Sequence, residues 1–370
     1  MTARRVAAVQ TAKVSLPAAP DLMVHGAKGA HDWSDFLLVR VVTSDDVAGY
    51  GEVSATALWS GEDSTTAEHF VRTRLGPALL GKPLAPVGAL ESLMDRILAG
   101  NPFTKAGVST ALWDAYARGL GVPLAVALGG PYREEVPIKL SLSGDDEQLQ
   151  RAYRAAVAAG FRSFKVKVGL GDPDGDVRRV AAARALAGPD AFLGADANGG
   201  WSRATAVRVL ELIRPHHLAF IEQPVSAADL DGLRALRGNG LPVIADESVF
   251  GMADLIRVIR AEAADVISLY IGKSGGPGRA VAMGRLAEAF NVGALIGSNG
   301  ELGIGAAAQL HVACALPALS TALPSDIIGA HYYAEDILGE PLDSNGTRVR
   351  LTDAPGLGVT PREDLMRWFR

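Results

Sequence analysis

The sequence predicts an α/β protein in which a (β/α)8-type barrel, a modified TIM barrel, carries an α+β capping domain. After residue 136, short apolar runs recur roughly 21 to 29 residues apart, and a helical stretch rich in Ala, Arg and Leu follows each of them. The first 130 residues instead combine a hairpin pattern with helical segments, and the C-terminal tail continues neither rhythm. These observations divide the chain into a capping domain (1–130), a barrel (131–325) and a C-terminal segment (326–370) that completes both.

The capping domain shows strand patterns first and helical patterns afterwards. Residues 36–44, FLLVRVVTS, alternate as a strand does, and residues 45–54, DDVAGYGEVS, supply a turn and a second strand. From about Thr65 to Leu128 the pattern becomes helical. Strands followed by helices are typical of an α+β unit.

The barrel is predicted from its apolar runs, which have the spacing of βα units in a parallel sheet. Seven such units, with an eighth strand near STALPS (320–325), favour a closed barrel over an open doubly wound sheet. The seven runs are VPIKLSLSG (136–144), FKVKVG (164–169), FLGADAN (192–198), FIEQPV (220–225), PVIADES (242–248), VISLYI (266–271) and GALIGSNG (293–300).

Composition excludes several classes of protein. A formal net charge of −5 and a pI near 5.8 indicate neither nucleic acid nor an anionic membrane as a partner. The single cysteine, Cys314, excludes an intramolecular disulfide and fits a reducing compartment. The N-terminus lacks the apolar core of a signal peptide, and no run of about 18 apolar residues predicts a spanning helix. We therefore expect a cytoplasmic protein.

Three consecutive predicted strands end in a carboxylate: Asp196 in GADAN, Glu222 in FIEQPV and Asp246 in IADES. Active-site groups of such barrels lie at the carboxyl ends of the strands. Three converging acids raise one another's pKa unless a cation neutralises them. Singly, each acid has a simpler interpretation as a helix N-cap or a solvated strand end. Together they predict a site for a hard divalent cation such as Mg²⁺, with Mn²⁺ as the alternative.

The run FKVKVG places Lys165 and Lys167 on one face of a strand, because side chains alternate with period two. On an edge strand both lysines would face water, whereas in a barrel they would point inward, where charge is costly. A partly desolvated lysine near a metal has a depressed pKa and can act as a base. We predict Lys167 as the base, with Lys165 modulating it and binding a substrate oxygen.

Taken together, the motifs resemble the enolase superfamily, in its muconate-lactonizing subgroup within the mandelate racemase/muconate lactonizing enzyme family. The resemblance covers nearly the whole chain and rests on motifs in family order: YGEVS, FKVKVG, DANGGW, IEQPV, ADES and GSNGELGIGAAAQLH. It implies Mg²⁺ on Asp196, Glu222 and Asp246, a base at Lys167, and specificity loops in the cap near 17–33 and 51–62. Cycloisomerisation, dehydration and racemisation or epimerisation of carboxylates are the activities it implies.

One position departs from the family pattern. The family carries a second catalytic lysine on strand six, in a motif like Leu-Lys-x-x-Lys-x-Gly-Gly, where this chain reads LYIGKSGG (269–276). Tyr270 thus occupies the catalytic position, while Lys273 is expected beyond the strand end, with an inward swing as the alternative. A phenol is a poor base at neutral pH but can donate a proton or hydrogen bond. Tyr270 as a packed barrel residue without chemistry is the other interpretation.

Four further residues are candidates around this site. Asn198 is expected to orient Asp196 or a water, and Glu247 to support the neighbouring ligands. Glu301 and His331 lie where family members contact substrate, although His331 has an equally simple interpretation as a surface residue.

The predicted function is Mg²⁺-dependent abstraction of a proton α to a carboxylate, through a metal-stabilised enediolate, by a muconate-cycloisomerase-like isomerase or syn-lyase with one base. Amino-acid or hydroxyproline-type dehydratases, racemases and epimerases of the same subgroup are the alternative. A metal-binding but catalytically silent scaffold is the alternative from another class. The expected partner is a small carboxylate substrate, and the resemblance implies a homo-oligomer, either a dimer or an octamer.

Overall fold

The structure is a computed structural model that describes residues 4–22, 25–26, 29–30 and 33–370. Part of the predicted specificity loop at 17–33 lies outside these residues. The N-terminal region contains the strands β1 (Val6–Pro17), β2 (His25–Gly26), β3 (Gly29–Ala30), β4 (Trp33–Thr43) and β5 (Ala48–Val53). An antiparallel sheet has the order β1-β4-β5, and β2 pairs with β3 in a small hairpin.

Helices cover this sheet, as the shift from strand to helical patterns predicts. They are α1 (Ala57–Ser60), α2 (Ser64–Phe70), α3 (Gly76–Leu79), α4 (Val87–Ile97), α5 (Pro102–Leu120) and α6 (Leu124–Ala127), with a π-helical stretch at Val71–Leu75. Helix α5 lies directly on β5, because Gly51 has no side chain: a Cβ there would come within 1.9 Å of the Gly107 carbonyl oxygen.

The second region is the predicted barrel. Seven parallel strands pair in chain order. Bridges from Ile138 to Ser325 and from Ala294 to Leu319 join both sheet edges to an eighth segment, which closes the ring. After β6 (Glu135–Pro137), the strands are β7 (Leu140–Leu142), β8 (Ser163–Lys167), β9 (Phe192–Asp196), β10 (Ile221–Glu222), β11 (Val243–Ala245), β12 (Val266–Leu269) and β13 (Gly293–Ile296).

Helices separate the barrel strands and bury their apolar faces against them. They are α7 (Asp146–Ala158), α8 (Pro173–Ala187), α9 (Arg203–Ile213), α10 (Leu230–Leu236), α11 (Met252–Arg260), α12 (Ile271–Ser274), α13 (Pro277–Ala289) and α14 (Gly303–Ala315). A short helix, α15 (Glu363–Met366), follows near the end of the chain. The (β/α)8-type barrel with an α+β cap is thus confirmed. Within the described ranges, no helix combines the length and apolarity needed to cross a bilayer.

The C-terminal segment returns to both regions. Strand β14 (Arg348–Arg350) pairs antiparallel with β6, which lies immediately before the barrel. At the end of the chain, Arg370 exchanges two backbone hydrogen bonds with Thr11 of β1. These contacts tie the C-terminal segment to β6 and to the cap. At the carboxyl end of β12, Trp59 of the cap stacks on Tyr270.

Candidate active site

The three predicted carboxylates lie at the carboxyl ends of adjacent strands. Asp196 is the last residue of β9, Glu222 is the last of β10, and Asp246 follows β11 directly. Parallel pairing of these strands brings the three side chains to one mouth of the barrel. All three are buried, with relative exposures of 1%, 0% and 1%. Such burial is unusual for acids and requires partners.

Lys165 is the cation at the centre of this group. Its Nζ lies 2.9 Å from Glu222 Oε2, 3.2 Å from Asp326 Oδ2 and 3.5 Å from Asp196 Oδ2. Burial alone would lower the pKa of Lys165, but the surrounding carboxylates outweigh it and hold that pKa well above its usual value. Lys165 is therefore a fixed positive charge inside the barrel.

Lys167 lies one step closer to the mouth and is only partly buried. Its Nζ donates to Asp196 Oδ2 at 2.7 Å and to Asn198 Oδ1 at 3.0 Å. We expected a depressed pKa beside a bound metal; beside the bare carboxylates the pKa of Lys167 is instead raised. Burial has the largest single effect and lowers the pKa of Lys167, but the attraction and the hydrogen bond of Asp196, together with attraction by Glu222, raise that pKa above its usual value.

Asn198 links Lys167 and Asp196 to Glu247. It adopts a left-handed backbone with φ of 45°, and its backbone N–H donates to Asp196 Oδ1 at 2.9 Å. Its side-chain amide donates to Glu247 Oε1 at 3.0 Å. The DANGG turn thus fixes both the aspartate and the lysine, while Glu247 contacts Asn198 beside the site.

Tyr270 and Lys273 both contact Asp246. The Tyr270 hydroxyl donates to Oδ2 at 2.9 Å, and Lys273 Nζ donates to Oδ1 at 2.6 Å. Lys273 lies beyond the strand end in α12, as expected, but its buried side chain turns back toward the site, which was the alternative expectation. Burial and nearby carboxylates hold the pKa of Tyr270 well above its usual value, so its phenol keeps its proton.

Two buried charges of the interior were missed in the sequence. Lys139 is fully buried, and its Nζ lies 3.0 Å from Asp326 Oδ2 and 2.6 Å from the Pro324 carbonyl oxygen. Asp326 Oδ2 therefore bridges Lys139 and Lys165. A signal was present, because Lys139 interrupts the first apolar run as Lys165 interrupts the second. Asp326 follows the poorly patterned eighth strand and gave no such signal.

The two predicted substrate contacts differ in their surroundings. Glu301 is buried in the loop after β13 and accepts from the Asn299 N–H and the Gln309 side-chain amide, at 3.0 and 2.9 Å. Burial raises the pKa of Glu301 despite these bonds. The His331 ring instead packs edge-on against Phe161, which precedes β8 at the end opposite Lys167. The structure therefore places Glu301 in the loop at the carboxyl end of β13 and gives His331 an aromatic neighbour, Phe161.

The carboxylate cluster favours an added cation. Burial, with repulsion by Asp196 and Asp246 among others, raises the pKa of Glu222 to about 8 even though Lys165 opposes this. Within the part of the chain that the structure describes, the buried Glu222 Oε1 has no hydrogen-bond partner. As they stand, no three His, Cys, Asp or Glu side chains of the described residues are arranged to hold a metal ion. Lysine ammonium groups lie among these oxygens, so the metal site stays a prediction.

Comparisons with known proteins find family matches along nearly the whole chain. The model "Mandelate racemase / muconate lactonizing enzyme, N-terminal domain" matches residues 7–129, and the model "Enolase C-terminal domain-like" matches residues 148–365. Muconate cycloisomerase 1 of Rhodococcus opacus is 35% identical over 341 residues, which cover 90% of this chain and 91% of the relative.

Other relatives carry different activities in their names. N-succinyl-L-Arg/Lys racemase of Bacillus cereus is 28% identical over 98% of this chain and 97% of its own length. Among solved structures, muconate lactonizing enzyme of Pseudomonas fluorescens in complex with muconolactone superimposes with a TM-score of 0.92, at 28% identity and full coverage of both chains. The proteins similar to this chain thus carry the names of more than one reaction, so similarity alone does not identify the reaction.

Proposed function

The chain belongs to the mandelate racemase/muconate lactonizing enzyme family of the enolase superfamily, whose members are metal-dependent isomerases and lyases. We propose that it is a Mg²⁺-dependent enzyme that removes a proton α to a carboxylate. In this proposal Lys167 is the only base. A muconate-cycloisomerase-like isomerisation or a syn elimination is the reaction that fits one base.

Asp196, Glu222 and Asp246 are the residues that would hold the cation. Their oxygens are the hard ligands that Mg²⁺ prefers, and the unpartnered Glu222 Oε1 supports this assignment among the described residues. When bound, the cation would supply the positive charge that makes an α-proton acidic and stabilises the resulting enediolate.

Lys167 is proposed as the base because it is the more exposed of the two lysines on β8 and ends that strand at the mouth. Lys165 has carboxylate oxygens from three residues around its Nζ, so it supplies fixed charge for the substrate rather than proton transfer. Before Lys167 can accept a proton, its ammonium has to leave Asp196 Oδ2 and lose a proton. Ligation of Asp196 would weaken the attraction that now raises the pKa of Lys167.

The one-base proposal depends on the residue that lies across the barrel from Lys167, which is Tyr270. Strands β8 and β12 lie four positions apart in a ring of eight, so Lys167, at the end of β8, and Tyr270, directly after β12, lie on opposite sides of the barrel mouth. The Tyr270 phenol is engaged by Asp246, and its raised pKa makes it a poor acid and no base at neutral pH. Proton removal and return would therefore both occur on the Lys167 face, which disfavours racemisation.

The test is exchange of α-protons with D₂O in the presence of Mg²⁺. The panel contains muconolactone, N-succinyl amino acids and dipeptides, with Lys167→Ala as the variant and Lys82→Ala, an exposed lysine of the cap, as the matched control. We expect exchange in one ligand class, retained by the control, lost in Lys167→Ala and without inversion at the α-carbon.

Exchange that persists in Lys167→Ala would refute the base assignment. Inversion of the α-carbon would refute the one-base mechanism and favour a racemase. Bound Mg²⁺ without exchange of any ligand in the panel would favour a catalytically silent scaffold.

A further inference from the structure

Both carboxylate oxygens of Asp246 accept hydrogen bonds from residues that follow β12. Tyr270 donates its hydroxyl proton to Oδ2 at 2.9 Å, and Lys273 donates to Oδ1 at 2.6 Å. From the other side, the Asp246 N–H donates to Gln223 Oε1 at 2.9 Å. Asp196 and Glu222, in contrast, are held through the lysines of β8. Asp246 is therefore the proposed cation ligand whose orientation depends on neither Lys165 nor Lys167.

The Tyr270 ring is held in place on several sides. Gly297, directly after the neighbouring strand β13, leaves room for the ring, since a Cβ at that position would come within 2.1 Å of Tyr270 Cε1. The indole of Trp59, from the cap, stacks on the ring at 5.4 Å between centroids with an interplanar angle of 11°. Lys273 Nζ lies 4.0 Å from the ring centroid. A ring confined in this way aims its hydroxyl at one fixed point.

The Lys273 ammonium is also held in place, by hydrogen bonds within the protein. Its ammonium has three N–H donors, and three acceptors surround it: Asp246 Oδ1, the Asp246 carbonyl oxygen at 2.8 Å and the Ser268 carbonyl oxygen at 3.0 Å. The side chain is 1% exposed. All its protons are used within the protein, which leaves Lys273 as a fixed support for Asp246 and for the end of β12.

We propose that Tyr270 and Lys273 are positioning residues that orient Asp246 as a cation ligand, and that Tyr270 has this role instead of transferring protons. An ionised carboxylate offers about four lone-pair directions, so each Asp246 oxygen keeps a direction for a cation after accepting one hydrogen bond. Hydrogen bonds to ligating carboxylates fix ligand geometry and commonly change metal affinity 10- to 100-fold. This inference rests on the proposed function, because it assumes a cation at Asp246.

The experiment measures Mn²⁺ binding to the substrate-free protein by electron paramagnetic resonance of the free ion. Tyr270→Phe keeps the ring and removes the hydroxyl, and we expect its Kd for Mn²⁺ to rise about 10-fold or more. Lys273→Gln should weaken binding in the same direction. Tyr332→Phe is the matched control, because its partly buried hydroxyl accepts from the Ser141 N–H instead of contacting a proposed ligand, and its Kd should equal that of the wild type.

Urea unfolding of each variant separates altered affinity from loss of the fold. Unchanged Mn²⁺ affinity in a folded Tyr270→Phe protein would overturn the inference. If the α-proton exchange rate at saturating Mn²⁺ also fell in that variant, the result would place Tyr270 in the chemistry. If the wild type itself binds no Mn²⁺, the cation assignment of the proposed function fails first, and this inference fails with it.

Discussion

Lys167 and Asp196 are direct partners in the register between β8 and β9, and Lys167 Nζ lies 2.7 Å from Asp196 Oδ2. The aspartate is almost fully buried and also faces Lys165 at 3.5 Å. A buried ion pair of this kind is weak evidence for stability, but breaking it from one side leaves an uncompensated charge. Lys167, the proposed base, therefore also neutralises Asp196 in the folded protein until that carboxylate binds another cation.

We predict that Asp196→Asn destabilises the metal-free protein. Two buried or partly buried ammonium groups would lose a carboxylate, which costs about 3 kcal/mol of unfolding free energy. Urea unfolding in EDTA measures this cost. Asp174→Asn is the matched control, because Asp174 pairs with Arg208 at an exposed site where ion pairs contribute about 1 kcal/mol or less. Equal losses for both variants would contradict the prediction.

A second prediction concerns Glu52, which joins the cap to the barrel. Its carboxylate accepts from the Leu302 and Gly305 N–H groups, at 2.7 and 2.8 Å, at the start of α14. Burial raises its pKa to about 8, despite these bonds and with a contribution from Glu301. Because the folded pKa exceeds the unfolded value of 4.5, the folded protein holds one more proton between these two pH values.

Because the folded protein holds this extra proton, raising the pH lowers the unfolding free energy. The contribution of Glu52 to unfolding free energy should fall by up to about 1.4 kcal/mol per pH unit between pH 4.5 and 8, and stay constant above that. Glu52→Gln should remove this slope, although it loses one hydrogen bond. Urea unfolding at several pH values measures the slope, with the exposed Glu211→Gln as control. If Glu52→Gln kept the wild-type slope, another group would be the source.

The fold could be predicted from the sequence because each barrel strand leaves a local pattern. FKVKVG and GALIGSNG predict β8 and β13 within a few residues. Strand β1 went unrecognised, since its pairing with β4 is a long-range property that its own mixed burial pattern hides. Strand β10 is only two residues long, and its boundaries depend on its neighbours.

The site could be predicted where chemistry and strand position coincide in sequence. Asp196, Glu222 and Asp246 end apolar runs, so the barrel hypothesis alone brings them together. What could not be predicted is which cation meets which acid. That Lys273 turns back to Asp246, and that Asp326 bridges two lysines, depends on side-chain directions fixed only by the closed barrel.

The bridge through Asp326 leads to a third prediction. Removing one member of the Lys139–Asp326 pair leaves a buried charge, so Lys139→Met and Asp326→Asn should each cost about 3 to 5 kcal/mol. The double variant should cost less than the two single costs together, by more than about 1 kcal/mol, because contacting residues are coupled. A double-mutant cycle in urea measures the coupling. Additivity to within about 0.5 kcal/mol would show that the pair is not an energetic unit.

The last prediction concerns the space that Gly297 leaves for the Tyr270 ring. A Cβ at position 297 would lie 2.1 Å from Tyr270 Cε1 and 2.2 Å from Ser268 Oγ, so Gly297→Ala should cost about 1 to 3 kcal/mol through overpacking. Adding Tyr270→Ala should recover part of this cost, because it removes Cε1. Adding Tyr270→Phe should not, because the phenyl ring keeps that atom. Unfolding free energies of the single and double variants test the pair, and an equal cost of Gly297→Ala in the Tyr270→Ala and Tyr270→Phe backgrounds would refute the ring contact.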